Sequence, residues 1–287
     1  MNRRQFVIKG GQAAALLALA PNLSFSNTLL SSDPVFSKFG IQLWTLRDVI
    51  YQNPMETIRH VGKMGYKNIE SFEGEKGIFW GTNPKEFKSF LDDNDMTLIG
   101  SHCNWKEDLE KKAYAMANVG GKYLICPWLG PQKSIDDFKR FADEFNRAGE
   151  ICKNAGIKFA YHNHDYSFKE LDGKIPQQVM MDLTSPELVD FEMDMYWVVT
   201  AGIDPIEYLK KYKNRFKLCH IKDRIKDAKE PFASCTLGVG SIDYAELLPK
   251  VKELGMEYFI YEQEKYDEAG VLANADQSAK YLKQFTK

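Results

Sequence analysis

The chain has 287 residues, with 38 Lys and Arg against 40 Asp and Glu and a formal net charge of −2. That balance leaves no basic surplus to meet nucleic-acid phosphates, which demand clustered Lys and Arg. Five cysteines (Cys103, Cys126, Cys152, Cys219, Cys235) form no CxxC pair, which argues against a disulfide framework and leaves buried thiols as the expectation.

Residues 1–26 read as an export signal. Arg3-Arg4 precede Phe6, Val7 and Ile8, residues 13–20 are apolar, and Ser24 and Ser26 are small residues at a cleavage site. The apolar run falls short of the roughly 20 residues that span a bilayer. The paired arginines predict a twin-arginine signal and a periplasmic protein without membrane contact after cleavage near Ser26. Residues 27–37 read as a linker and 38–287 as one folded domain.

From residue 39 onward, β-rich runs alternate with amphipathic stretches. The predicted strands are 39–44, 66–71, 97–102, 122–128, 157–164, 189–194, 216–223 and 257–264, with helices at 84–95 and 134–156 among the intervening segments. Gly65, Gly121, Gly156 and Gly255 stand just ahead of strands, where a glycine ends a helix. Eight such units in a domain of about 250 residues predict a (β/α)8 TIM barrel. A doubly wound open sheet would bring a glycine-rich turn after its first strand, and TLRDVI contains no glycine.

In a barrel the carboxyl ends of the strands converge on one face. Those ends carry Gln42, Trp44, Glu70, His102, Trp128, His162, His164, Asp194, His220, Lys222, Glu262 and Glu264. Side chains two apart share a face of a strand, so the fifth to eighth strands can aim imidazoles and carboxylates at one point. Mixed nitrogen and oxygen donors without thiolate suit one divalent cation, Mn²⁺, Mg²⁺, Co²⁺ or Zn²⁺, in a catalytic setting. Gly238-Val239-Gly240-Ser241 reads as a plain turn before a helix, in preference to a phosphate cradle.

GIQLWTLRD, GYKNIE, HNH, MDMYW, HIKD, GVGSID and YEQE, in this order, resemble the xylose isomerase-like barrel superfamily of sugar isomerases, epimerases and inosose dehydratases. The resemblance covers roughly residues 38–287. It implies Asp194, His220 and Glu262 as metal ligands, with His162 fourth, where many members carry glutamate; His164 is the alternative fourth ligand. Glu262, His164 and Glu70 are the candidate acids and bases. His102, Lys222, Glu264, Trp44, Trp128 and Trp197 are the candidate substrate contacts.

The leading expectation is an isomerase or epimerase working through an enediolate of an unphosphorylated sugar. The alternative is a lyase or dehydratase performing β-elimination on a keto-sugar, 3-keto-glycoside or keto-inositol, favoured by His162 in place of glutamate. A sugar-binding barrel without catalysis is the reading from another class, and a homo-oligomer is left open. DNA repair is excluded by the acidic charge and by too few ligands for a multi-metal site.

Overall fold

The computed structural model describes residues 34–286, so the expected signal and most of the linker lie outside the described residues. Seven strands come first: β1 (Gly40–Gln42), β2 (Asn68–Phe72), β3 (Thr97–His102), β4 (Tyr123–Cys126), β5 (Lys158–His162), β6 (Val189–Asp194) and β7 (Phe216–Ile221). A two-stranded ribbon follows, β8 (Asp223–Arg224) antiparallel to β9 (Ser234–Cys235), and β10 (Tyr258–Tyr261) completes the set. The order β1-β10-β7-β6-β5-β4-β3-β2 closes on itself through parallel pairs, giving the predicted eight-stranded barrel. No described helix is long and apolar enough to cross a membrane.

The strands form where apolar runs are buried on both faces, as a parallel sheet between helices and a packed interior requires. The helix Ile135–Asn154 shows how the outer layer is fixed. Asp137 Oδ2 accepts from the Ser134 backbone N–H at 3.2 Å and its hydroxyl at 3.0 Å, which secures the first turn. Its buried stripe includes Phe138, Ala142 and Phe145, and the Phe145 ring lies 5.2 Å from Phe159 of β5. Truncating Phe145 to alanine would cost about 3–5 kcal/mol.

Helix ends follow the glycines with one difference. Gly65, Gly156 and Gly255 take positive φ, but after the helix Leu109–Asn118 the left-handed residue is Gly120, not Gly121. Predicted strands overshoot at their carboxyl ends. Trp44 falls in a 3-10 turn, Leu43–Leu46; Asn163 and His164 lie past the end of β5; Glu262 and Glu264 lie past β10.

Two register shifts set which side chains enter the barrel. Ile69 and Glu70 of β2 pair with Leu98 and Gly100, so Ile99 is an extra residue in β3. Both Ile99, in the apolar interior, and His102, at the mouth, therefore face inward despite opposite parity. A second shift between Phe191 and Glu192 leaves Lys217 unmatched, so Phe216 packs outside while Leu218 packs inside.

Candidate active site at the barrel mouth

The strand tips build two contiguous clusters that share one histidine. In the outer cluster, His162, Asp194, His220 and Glu262 bring one donor atom each to within 4.8 Å of one another, all buried. His162 Nε2 lies 3.3 Å from Asp194 Oδ2, and His220 Nδ1 lies 3.3 Å from Glu262 Oε2 and 3.8 Å from Asp194 Oδ2. Two ligands about 2.1 Å from a common ion stand at most roughly 4.2 Å apart, so these contacts fit a shared divalent cation. The Lys222 ammonium, fully buried, sits 2.6 Å from Glu262 Oε2, 3.0 Å from Asp194 Oδ2 and 3.4 Å from Glu264 Oε2. The carboxylates thus already gather around a positive charge.

The inner cluster joins Glu70, His102, Glu192 and His220. His220 Nε2 and Gln42 Nε2 both reach Glu70 Oε1, at 2.8 and 2.5 Å, while His102 Nε2 meets Glu192 Oε2 at 2.8 Å. A metal-ligating histidine characteristically donates its second ring N–H to a carboxylate, which fixes ring and tautomer. Glu70 stands where it can do this for His220. It is fully buried and does not line the cavity, so the structure does not place it beside the other acids and bases expected from sequence, His164 and Glu262.

Charges in the two clusters separate. Burial opposes ionisation of Asp194 and Glu262, yet Lys222 holds both well below the usual carboxylate range. Burial together with the Glu70 charge pushes Glu192 up to about 8. His102 rises to about 9 because Glu70 and Glu192 outweigh its burial, and His220 rises for the same kind of reason. Burial pulls His162 down to about 4 and His164 well below its ordinary value, with His162 and Lys222 adding repulsion at His164. Burial raises the carboxyl of Glu264.

Above the outer cluster opens a cavity of about 680 Å³. His102, His162, His164, Glu262, Glu264, Trp44 and Trp128 line it, and Trp44 and Trp128 are 41% and 50% exposed. His164 Nδ1 is buried without a hydrogen-bond partner, its ring edge-on to Trp128 at 4.4 Å. Trp197 departs from its expected place. It is 1% exposed, lies behind His164 at 5.3 Å and beneath Phe232 at 5.1 Å, and forms no wall of the cavity. A ring packed on both sides cannot also serve as a sugar platform.

Asn104, Trp105, Lys106, Phe141 and Phe232 also line the cavity, and the sequence did not single them out. The first three lie two to four residues past the His102 strand tip, so the same strand-end rule could have found them. Phe141 lies on a helical apolar face and reads as core. The glycine turn is closed to phosphate: Asp223 Oδ2 accepts from Gly238 and Gly240 N–H at 3.0 Å each, and its Oδ1 accepts from Ile242 and Arg224 N–H.

The family described as xylose isomerase-like TIM barrel matches residues 58–285. An inosose dehydratase of Bacillus cereus (strain AH820) is 32% identical over 210 residues, 71% of this chain and 66% of that protein. The chain spans only 63% and 58% of the length of similar inosose dehydratases from Geobacillus kaustophilus and Clostridium perfringens. A solved sugar phosphate isomerase/epimerase from Parabacteroides distasonis ATCC 8503 superposes with a TM-score of 0.75 at 28% identity, covering 91% of this chain and 99% of that one. Two more distant structures share the fold alone. The IOLI protein with a bound zinc atom is 17% identical, with TM-score 0.70 over 86% of this chain and 97% of its own. The 3-keto-D-glucoside 4-epimerase of E. coli is 18% identical, with TM-score 0.67 over 87% and 100%. The chain belongs to the xylose isomerase-like TIM barrel family.

Proposed function

We propose that the protein is a divalent-metal-dependent lyase or dehydratase acting on an unphosphorylated keto-sugar or keto-cyclitol. It removes the proton α to a carbonyl and expels a β-substituent. The observation that carries this reading is His164: among the described cavity-lining histidines it alone has a fully buried ring nitrogen without a partner, and its burial keeps it neutral. A neutral imidazole is a ready base. Inverting a stereocentre calls for a second base on the opposite face, and the position that would supply one holds His162, already turned to Asp194. The inosose dehydratase relatives favour elimination as well.

His162, Asp194, His220 and Glu262 would hold the cation. Such a cation, when bound, polarises a carbonyl and stabilises the negative charge left by proton loss. The His164 imidazole, which lines the cavity, receives the α proton. The Glu264 carboxyl, raised by burial and exposed to the cavity, is placed to protonate the leaving oxygen. Trp44 and Trp128 offer apolar faces to the ring, and His102, braced by Glu192, offers its edge to a hydroxyl. An isomerase or epimerase would share the first proton transfer and differ only in the second step. Export through the paired-arginine leader belongs to the same proposal, since an enzyme outside the cytoplasm meets chiefly unphosphorylated sugars; the N-terminal mass of the protein after secretion tests it.

The test of function is incubation of the metal-loaded protein with a keto-inositol and a 3-keto-glucoside in deuterated water. Loss of water or of the aglycone, with a new conjugated ketone absorbing in the ultraviolet, is expected. Deuterium uptake without loss of a group would return the protein to the isomerases. With neither, the barrel would be a binder.

A further inference from the structure

The cavity is larger than the chemistry beneath it requires. A single six-carbon ring fills roughly 200 Å³ at the density of packed organic solids, against about 680 Å³ here. The surplus has a direction. The metal-competent cluster lies inside the barrel, whereas Trp105 stacks edge-on against Phe145 and Phe159, in the layer between strands and helices. Phe141 joins the cavity from the helix Ile135–Asn154 and Leu129 from the segment after β4. The cavity therefore runs from the barrel axis outward over the β3–β4 rim.

That arm is fixed in advance and chemically mixed. Glu73 Oε2 accepts from the Asn104 backbone N–H at 2.7 Å and from Lys112 Nζ at 2.8 Å, and Asn104 Oδ1 accepts from the Lys106 N–H at 3.2 Å. Lys106 Nζ stands 5.0 Å from the Trp105 ring centre and 5.1 Å from that of Phe141, with Glu144 at 3.4 Å. Aromatic faces beside amide and ammonium donors match the two sides of a pyranose, its C–H face and its hydroxyl rim. Glu144 offsets the Lys106 charge, and Glu73, Glu262 and Glu264 also line the cavity. An anionic group is disfavoured there, a neutral one is not.

We infer that this arm is a subsite for a second, neutral sugar ring, so that the substrate is a two-ring keto-glycoside. The oxidised ring lies over His162 and Glu262, and the other ring lies beside Lys106 and Phe141. This deepens the keto-sugar reading of the same site and rests on it.

The test compares the 3-keto derivative of glucose with the 3-keto derivative of a glucose disaccharide on the metal-loaded protein. The expected kcat/KM ratio favours the disaccharide by about tenfold or more, and Lys106→Ala and Phe141→Leu each shrink that ratio at least about threefold. A ratio within about twofold in the unaltered protein overturns the inference, as does an undiminished ratio in both variants. If neither compound reacts, the chemical reading falls by itself. The calorimetric Kd values of the same two compounds then decide the subsite, and equal values refute it.

Discussion

The two ends of the barrel interior are built from the same strands and could hardly differ more. Toward the amino ends, Ile99, Tyr123, Ile125, Ala160, Leu218 and Ile260 form a small apolar plug. The charged residue beside it, Asp190, is fully answered: Tyr123 Oη donates to one oxygen at 3.1 Å and Lys158 Nζ to the other at 2.9 Å. Two residues further along, the inward positions become His162 on β5, Glu192 on β6 and His220 on β7. There Glu70 Oε2, Glu192 Oε1 and His164 Nδ1 are buried without partners. Each such group costs about 1–3 kcal/mol. One end spends its side chains on cohesion, and the other holds buried polar atoms without protein partners beneath an open cavity.

Substitutions at the two ends should therefore part company. The largest effect is expected from His220→Ala or Glu262→Ala. Metal content measured on the purified protein should drop to background and turnover should fall by roughly 10³-fold, the scale of several kcal/mol of charge stabilisation. Retained metal in both variants would dissolve the outer cluster as a site. Next comes His164→Ala, for which turnover should fall about 10²-fold or more while metal content stays put; a loss of metal would make His164 a ligand instead of a base. Glu70→Gln should weaken metal affinity by about 10- to 100-fold through the looser His220 ring, read by competition with a chelating dye. The smallest effect belongs to the lower end. Tyr123→Phe should cost about 1 kcal/mol in denaturant unfolding and leave the metal titration unchanged, and any shift there would show that the two ends are coupled.

Much of this contrast could be read from the residues, and the remainder has physical causes. Continuous apolar runs ending in a polar tip announce buried parallel strands and their mouth, while the narrower set His162, Asp194, His220 and Glu262 comes from the family resemblance. Strand ends were harder, because Trp44 and Glu264 continue an alternation that the backbone abandons for a turn. The Glu70–His220 and His102–Glu192 contacts span the barrel and depend on the extra residue at Ile99, which no local period reveals. Trp197 and Phe141 exchanged roles: an aromatic beside a ligand proved to be packing, and one on a helical stripe reached the cavity.

The carboxylate of Asp223, lodged among the N–H groups of Gly238, Gly240 and Ile242, has a consequence for specificity. A group tied to the chain competes at an effective concentration that a dissolved phosphate ester rarely matches. The turn is thus filled by the protein's own anion, and a phosphate group would have to displace that carboxylate to bind there.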